Sequence, residues 1–393
     1  MVPAHPKHYD EHSPSARILN RDHRSLSNSP ISSNSAALPW PQLEQAIRHD
    51  PGGRGLASYR AGDRQITAGQ LQQAAEHLAQ QATSVAIVTG FVVGVDNSSK
   101  HSLAAETDGP PGTLYLARAL MALGVEVTLV SDEYGVPLLQ AGCDHWQLGR
   151  ERICCMPFES DEPDSLARGT NHPEHSVHSD AWVEWFYDAG PGRDISHLIA
   201  IERAGPSHTP DSLARQSRPG DPPQARFSEE VPAASHNVCH NMRGESINAH
   251  TAKTHLLFEA ADQQQRSITT IGIGDGGNEI GLGSVPWEQI REALGDAVGG
   301  RIACRIATDF TLLAGVSNWA AYALAQAVCG LRGQSDAISW SDPQSQQRLI
   351  ETLVAEAGAV DGVTGRHEPT VDGLAMEDYL RVFSDIARLA TMG

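Results

Sequence analysis

The sequence predicts an α/β fold, with a mainly parallel open sheet flanked by helices and carrying polar loop insertions. Three observations predict it. Val85–Val88 and Val125–Val130 are apolar, β-branched runs separated by a helix-forming stretch, and strand, helix and strand within about 45 residues imply a right-handed parallel crossover. Several inferred strands end on polar or acidic residues, among them Asp132 and Glu202. The 393 residues are 40% hydrophobic, enough for one large α/β domain with insertions.

Residues 1–38 are rich in Ser, Pro, Asn and His. Such a composition does not offset the entropy of ordering, so a disordered tail is expected there, with the α/β domain over 39–393. The tail lacks the apolar core of a secretion signal. A helix starts at Pro39, runs through Leu43 and Ile47 and ends at the Pro51–Gly53 break. A second spans about 67–82, with Thr67 as cap and Leu71, Ala75 and Leu78 as its apolar stripe. Pro110 and Pro111 open the crossover helix, which Gly124 stops. Its apolar residues go nearly all round (Leu114, Leu116, Ala117, Leu120, Met121), which predicts burial. The polar stretches 157–180 and 204–240 read as insertions. Between them His197–Ile201 is a strand that stops at Glu202 and Arg203. A helix over about 246–261 precedes a strand, Ser267–Ile271, that enters a Gly-rich loop at 272–283. A helix over 286–294, a strand Ile302–Ala307 ending at Thr308 and Asp309, and a helix over 317–329 capped by Ser317 follow. An acidic turn at Val360–Val363 and a last helix over 375–389 complete the chain.

The formal charge of −19 argues against nucleic-acid and anionic-membrane partners, and no apolar stretch reaches membrane-spanning length. The six cysteines form no CxxC pair, which argues against a disulfide scaffold and a thiolate zinc site and makes a reducing cytoplasm the simplest compartment. Cys154 and Cys155 read as packing residues, as do Trp319 and Tyr322. His172, His175 and His178, and the pair His236 and His240 around Cys239, read as parts of solvated insertions rather than zinc ligands. Homo-oligomerisation is compatible with the sequence.

The chemistry is expected where strands end. In an open parallel sheet, ligands sit beyond the carboxyl ends of the strands. Asp132, Glu202, Asp275 and Asp309, with Glu106 and Asp108 in the first long loop, are the acids placed to converge there; Asn278 and Glu279 add further oxygens. Two carboxylates about 4 Å apart repel by about 4 kcal/mol at an effective dielectric near 20, so their pKa values rise or a cation joins them. All-oxygen ligands favour Mg²⁺, Mn²⁺ or Ca²⁺. Gly272, Gly274 and Gly277 also match G-x-G-x-x-G, but Gly281, Gly283 and Pro286 keep a helix from starting within the glycines, and Asp275 and Glu279 repel a pyrophosphate. A dinucleotide site is therefore not expected.

Five motifs carry a family resemblance: AETDGPPGTLYLARAL at 105–120, AIERAG at 200–205, NMRG at 241–244, GIGDGGNEIGLG at 272–283 and ATDFTLLAGVSNWAAYALA at 307–325. Together they resemble the C-terminal domain of the D-glutamate cyclase family, from about Val85 onward. The resemblance implies a lyase that converts D-glutamate to 5-oxo-D-proline with loss of water. The clustered acids lead us to expect a divalent cation, Mg²⁺ or Mn²⁺, on Glu202, Asp275, Glu279 and Asp309. Glu279 is the expected base, with Asp275 and Arg243 completing the catalytic set. Glu106, Thr107, Asp108, Asn241, Asn278 and Asn318 are expected at the substrate, with Arg243 clamping its α-carboxylate. The vertebrate cyclases carry a large N-terminal domain that this chain replaces with a tail and two helices, so a metal-dependent phosphatase or hydrolase of a small phosphorylated metabolite and a non-catalytic metabolite-binding protein are the alternatives.

Overall fold

The computed structural model describes residues 38–53, 55–95, 102–159, 178–295 and 297–392. The expected tail lies outside these residues except for Leu38, which is buried, and so does most of the first insertion with His172 and His175.

Ten strands occur among the described residues. In chain order they are β1 (Arg60–Ala61), β2 (Arg64–Gln65), β3 (Ser84–Thr89), β4 (Val92–Gly94), β5 (Leu103–Ala105), β6 (Glu126–Ser131), β7 (Ile153–Cys155), β8 (His197–Ile201), β9 (Thr269–Gly274) and β10 (Phe310–Leu313). Six form the central sheet in the order β10-β9-β8-β3-β6-β7, with every pairing parallel. The other four make two small antiparallel hairpins. From β3 the chain steps outward to β6 and β7, then returns to the other flank of β3 and builds β8, β9 and β10. The order therefore reverses between β3 and β8, and a ligand crevice is expected at that reversal.

The strands are apolar on both faces because both faces are covered. Val85 and Ile87 of β3, with Ile199 and Ile201 of β8, enter one core. Ala86, Val88, Leu198 and Ala200 enter the other. The first core is closed by the helices Pro110–Ala122, Ser317–Leu331 and Met376–Ala390, where Tyr115, Tyr322 and Tyr379 are buried. Trp319 and Tyr322 are core residues, as expected. The second core holds Trp182, Phe186, Phe227 and Trp287.

Several sequence expectations change. Residues 303–307 are extended but join no strand of the sheet. They bond to loops instead: Cys304 N donates to Gly277 O, Arg305 N to Pro206 O, and Ile306 O accepts from Gly281 N and Gly283 N. The edge strand comes later, at β10. The helix expected over 246–261 is a short 3₁₀ turn, Asn248–His250, followed by a helix at His255–Ala261. Gly69, not Thr67, starts the second helix, and Thr67 instead accepts a hydrogen bond from Arg48. The second insertion contains helices at Pro210–Arg215 and Gln224–Glu230, and His236 stacks on Phe227. Cys155 is exposed rather than packed.

Four buried histidines are held neutral. Burial lowers His197, His208 and His255 to about 3 and His240 to about 4, with neighbouring positive charge adding to the effect. At His197 the hydrogen bonds fix the tautomer. Ser196 Oγ donates to Ser84 O at 2.9 Å, so it accepts from His197 Nδ1 at 2.9 Å, and His197 Nε2 accepts from His77 Nδ1 at 2.9 Å. A depressed folded-state pKa means the unfolded chain takes up protons first as the pH drops. Stability is therefore full above about pH 7 and falls through 6.5 toward the folded values, by about 2 kcal/mol per group at pH 5. Urea midpoints measured between pH 7.5 and 5 should drop steeply, and a His197→Gln variant should lose part of that slope. Flat midpoints would contradict the assignment.

Candidate active site

The register aligns the strand ends. Thr89 pairs with Ile201, Ile201 with Ile273, and Leu313 with Gly274. The residues just beyond, Gly90, Glu202, Asp275 and Ala314, therefore form one row at the carboxyl rim. The β4–β5 hairpin brings the chain back so that 106–109 lie against this row, with Glu106 N donating to Phe91 O. Thr107 is spent on the same placement: its N–H donates to Val360 O and its Oγ1 to Thr370 O.

Asp108 and Asn318 lock two helix N-termini together. Asp108 Oδ2 accepts from Ser317 N at 2.8 Å, and its Oδ1 accepts from Asn318 N at 2.9 Å. The cap of the helix Ser317–Leu331 thus comes from 209 residues away rather than from the Ser317 side chain. Asn318 Oδ1 in turn accepts from Gly109 N and Gly112 N, and its Nδ2 donates to Thr107 O. Two positive helix ends therefore face one spot, which favours negative charge there.

Glu202 is the most constrained acid. Its backbone sits at φ 44°, a left-handed value uncommon outside glycine. Its N–H donates to Ile273 O, and its Oε2 accepts from Ser317 Oγ at 2.6 Å. Burial pushes its pKa well above the carboxylate range, and the charges of Asp275, Glu279, Asp108 and Glu106 push it further. Arg203, fully buried, anchors the next position. It pairs with Asp132 at 2.6 Å and donates to Gly90 O, Ala252 O and Thr254 Oγ1. Asp132 is thereby taken into a structural ion pair.

The Gly-rich loop brings the third acid. Glu279 closes this loop on itself: Oε1 accepts from Asp275 N and Gly276 N, and Oε2 from Gly277 N. Three of its lone pairs are engaged in this ring, which assigns it to holding the loop rather than to the expected role as base. Asn278 Nδ2 donates to His240 O at 2.7 Å, while its buried Oδ1 has no hydrogen-bond partner and lies beside Gly276.

Asp108, Glu202 and Asp275 each bring one oxygen within 4.8 Å of the others, all three buried. At that spacing each pair repels by about 3 kcal/mol at an effective dielectric near 20. Three buried hard oxygens, with an unpartnered carboxamide oxygen in the same loop, fit Mg²⁺ or Mn²⁺ chemically.

Asp309 does not join them. It lies level with Thr270 at the amino end of β9 and accepts from Thr270 N and Oγ1. Asp275 is five residues further along, about 16 Å at strand rise. The expectation failed because the strand was placed before Asp309 when it begins after it, which reverses the end of the sheet that Asp309 occupies. Asn241 builds its own turn, accepting from Arg243 N and Glu245 N, and Arg243 is exposed on that turn. From sequence, Ser317, Arg203 and Thr89 read only as a helix cap and strand ends, not as residues of the site. Ser317 and Arg203 each directly adjoin a residue that does.

Gly109 has φ +97°, and a Cβ there would lie 2.8 Å from both Glu202 Cβ and Thr89 Oγ1. Gly109→Ala is expected to cost about 3 kcal/mol from strain and overpacking. A chemical-denaturation loss under 1 kcal/mol (roughly the cost of a tolerated swap) would show that the site does not need this close approach.

Among the described residues no helix is long and apolar enough to cross a membrane. A family model described as "D-glutamate cyclase-like, C-terminal" matches residues 43–218 and 227–387. The chain is also 30% identical over 298 residues to the human protein named "D-glutamate cyclase, mitochondrial". That alignment covers 76% of this chain and 40% of the human protein, so the chain spans well under half of that relative's length. With this match over most of its length, the chain belongs to the D-glutamate cyclase-like family, in the part that family describes as C-terminal.

Proposed function

We propose that this chain is a lyase that closes D-glutamate to 5-oxo-D-proline with release of water, using Mg²⁺ or Mn²⁺ held by Asp108, Glu202 and Asp275. The observation that carries this reading is the convergence of those three buried carboxylates at the strand-order reversal. The activity named for the human relative belongs to a much longer protein, and it is extended here as part of the proposal.

In the reaction the ammonium nitrogen bonds to the γ-carboxyl carbon and gives up two protons, the C–O bond breaks, and the departing oxygen takes up two protons and leaves as water. A divalent ion held by Asp108, Glu202 and Asp275 would supply Lewis-acid polarisation of the carboxyl group. Asp108 and Asp275 hold their oxygens fixed because a helix end and a glycine loop define their backbones. Ser317 orients Glu202 through its hydroxyl. Glu279 serves the loop, so proton transfer from the amine is assigned to Glu106, whose carboxylate lies against the backbone of Gly362. Curling the substrate so that its two ends meet supplies a proximity gain. The six free thiols accord with a cytoplasmic location, which is part of this proposal; the human relative's name places that protein in mitochondria.

The test is direct. Purified protein with D-glutamate and Mn²⁺ should form 5-oxoproline, detected by chiral chromatography, and EDTA should stop it. No product with either Mn²⁺ or Mg²⁺, together with phosphate release from small phosphoesters, would replace this reading with a phosphatase.

A further inference from the structure

The acid cluster accounts for a cation but not for the second charge of a dicarboxylate. With five carboxylates in the same electrostatic neighbourhood, a second anionic group needs N–H donors of its own. Arg203 cannot supply them, because its guanidinium is already bonded to Asp132, Gly90, Thr254 and Ala252. Lys253 and Arg305 are paired with Glu159 and Glu259.

Arg301 differs. Its Nε is buried with no acceptor, and its Nη1 lies 3.5 Å from the ideal Cβ position of Gly244, against the turn 240–244. His240, in the same turn, is 3% exposed, and its Nδ1 is also buried without a partner. Burial keeps this imidazole neutral against the opposing hydrogen bond to the Val238 carbonyl, with the Arg301 charge adding to burial, so the ring carries a single N–H. The turn abuts the acid loop. Asn278 Nδ2 bonds to His240 O, and Met242 Sδ lies 2.6 Å from where a Gly276 Cβ would be. The buried Arg301 Nε, which has no acceptor, and the His240 ring thus lie at the turn that adjoins the acid loop.

We propose that Arg301 and His240 form an anion subsite that takes the second carboxylate of a dicarboxylic substrate, with the acid cluster and its cation receiving the first. This deepens the reading above and rests on it for the identity of the reacting end. The subsite makes the chain selective for dicarboxylates over monocarboxylates, and Arg301 takes over the clamping role expected of the exposed Arg243.

The test uses Arg301→Gln, with Arg301→Lys as the charge-retaining control. Calorimetric titrations with D-glutamate and glutarate in the presence of Mn²⁺ should show binding about tenfold weaker in Arg301→Gln and partly recovered in Arg301→Lys. KM for D-glutamate should rise by the same factor with kcat within about threefold, while Mn²⁺ affinity and butyrate binding stay unchanged. Unchanged dicarboxylate binding in a folded Arg301→Gln overturns the subsite. So does a wild type that binds Mn²⁺ but no dicarboxylate, and in that case the metal reading survives. Arg301-dependent dicarboxylate binding without any Mn²⁺ site sinks the metal reading and leaves the subsite standing.

Discussion

Asp275→Asn should abolish turnover while making the metal-free protein more stable. Asp275 shares a space with Asp108 and Glu202, each oxygen within 4.8 Å of the others. Without a cation this arrangement is repulsive, and removing one charge relieves it by on the order of 1 kcal/mol after solvent and helix-end screening. With a cation the same change deletes a ligand, so Mn²⁺ affinity should fall by more than about 100-fold and kcat by about 1,000-fold. Opposite movement of stability and activity is the signature of a site held under strain for function. The pH dependence gives a second sign. The raised folded-state pKa of Glu202 means the folded chain keeps a proton that the unfolded chain has lost. Its contribution is fully present below about 4.5 and is lost as the pH rises toward the folded value. Asp275→Asn should flatten this slope, because after burial the Asp275 charge does most to raise Glu202. Thermal melts of both proteins with and without Mn²⁺, from pH 5 to 8.5, measure both effects. A variant that is less stable without metal, or that retains Mn²⁺ affinity, would remove Asp275 from the centre.

Arg203→Ala should produce the largest loss of stability, about 3–5 kcal/mol. The change leaves Asp132 buried beside no positive charge and strips acceptors Gly90 O and Ala252 O of a donor. It also empties one of the largest fully buried side-chain volumes in the protein. Because Arg203 ties together the chain just after β3, β6 and β8, the loss should appear first as loosening of the carboxyl rim. Hydrogen exchange should accelerate at Glu202 and Gly90 before it does in β3 itself. Asp132→Ala combined with Arg203→Ala should cost less than the sum of the single changes, since it removes the orphaned charge. Additive losses in that double-mutant cycle would mean that the pair contributes by packing alone.

The two prolines that open a helix, the apolar strand runs and the five motifs were legible in the sequence because they depend on neighbours within a few residues. Strand β3 and the helix Pro110–Ala122 appear where periodicity and proline placed them. Asp275, Asn278 and Glu279 stood out together because glycines surround them, yet their roles divide by a local hydrogen-bond ring that composition does not reveal. Asp309 was misplaced because 303–307 reads as an apolar strand but bonds its backbone to two other loops, 206–208 and 277–283.

By itself the sequence determined the fold class, the family and the acids available for chemistry, since β-branched runs, helix punctuation and oxygen-bearing side chains are properties of short segments. Only the tertiary structure decided which acids meet. Parallel pairing sets strand ends level, and a helix end 209 residues from Asp108 fixes where its carboxylate points. Long-range register and capping have no local signature, because they arise from which buried backbone groups must be satisfied once the sheet has formed.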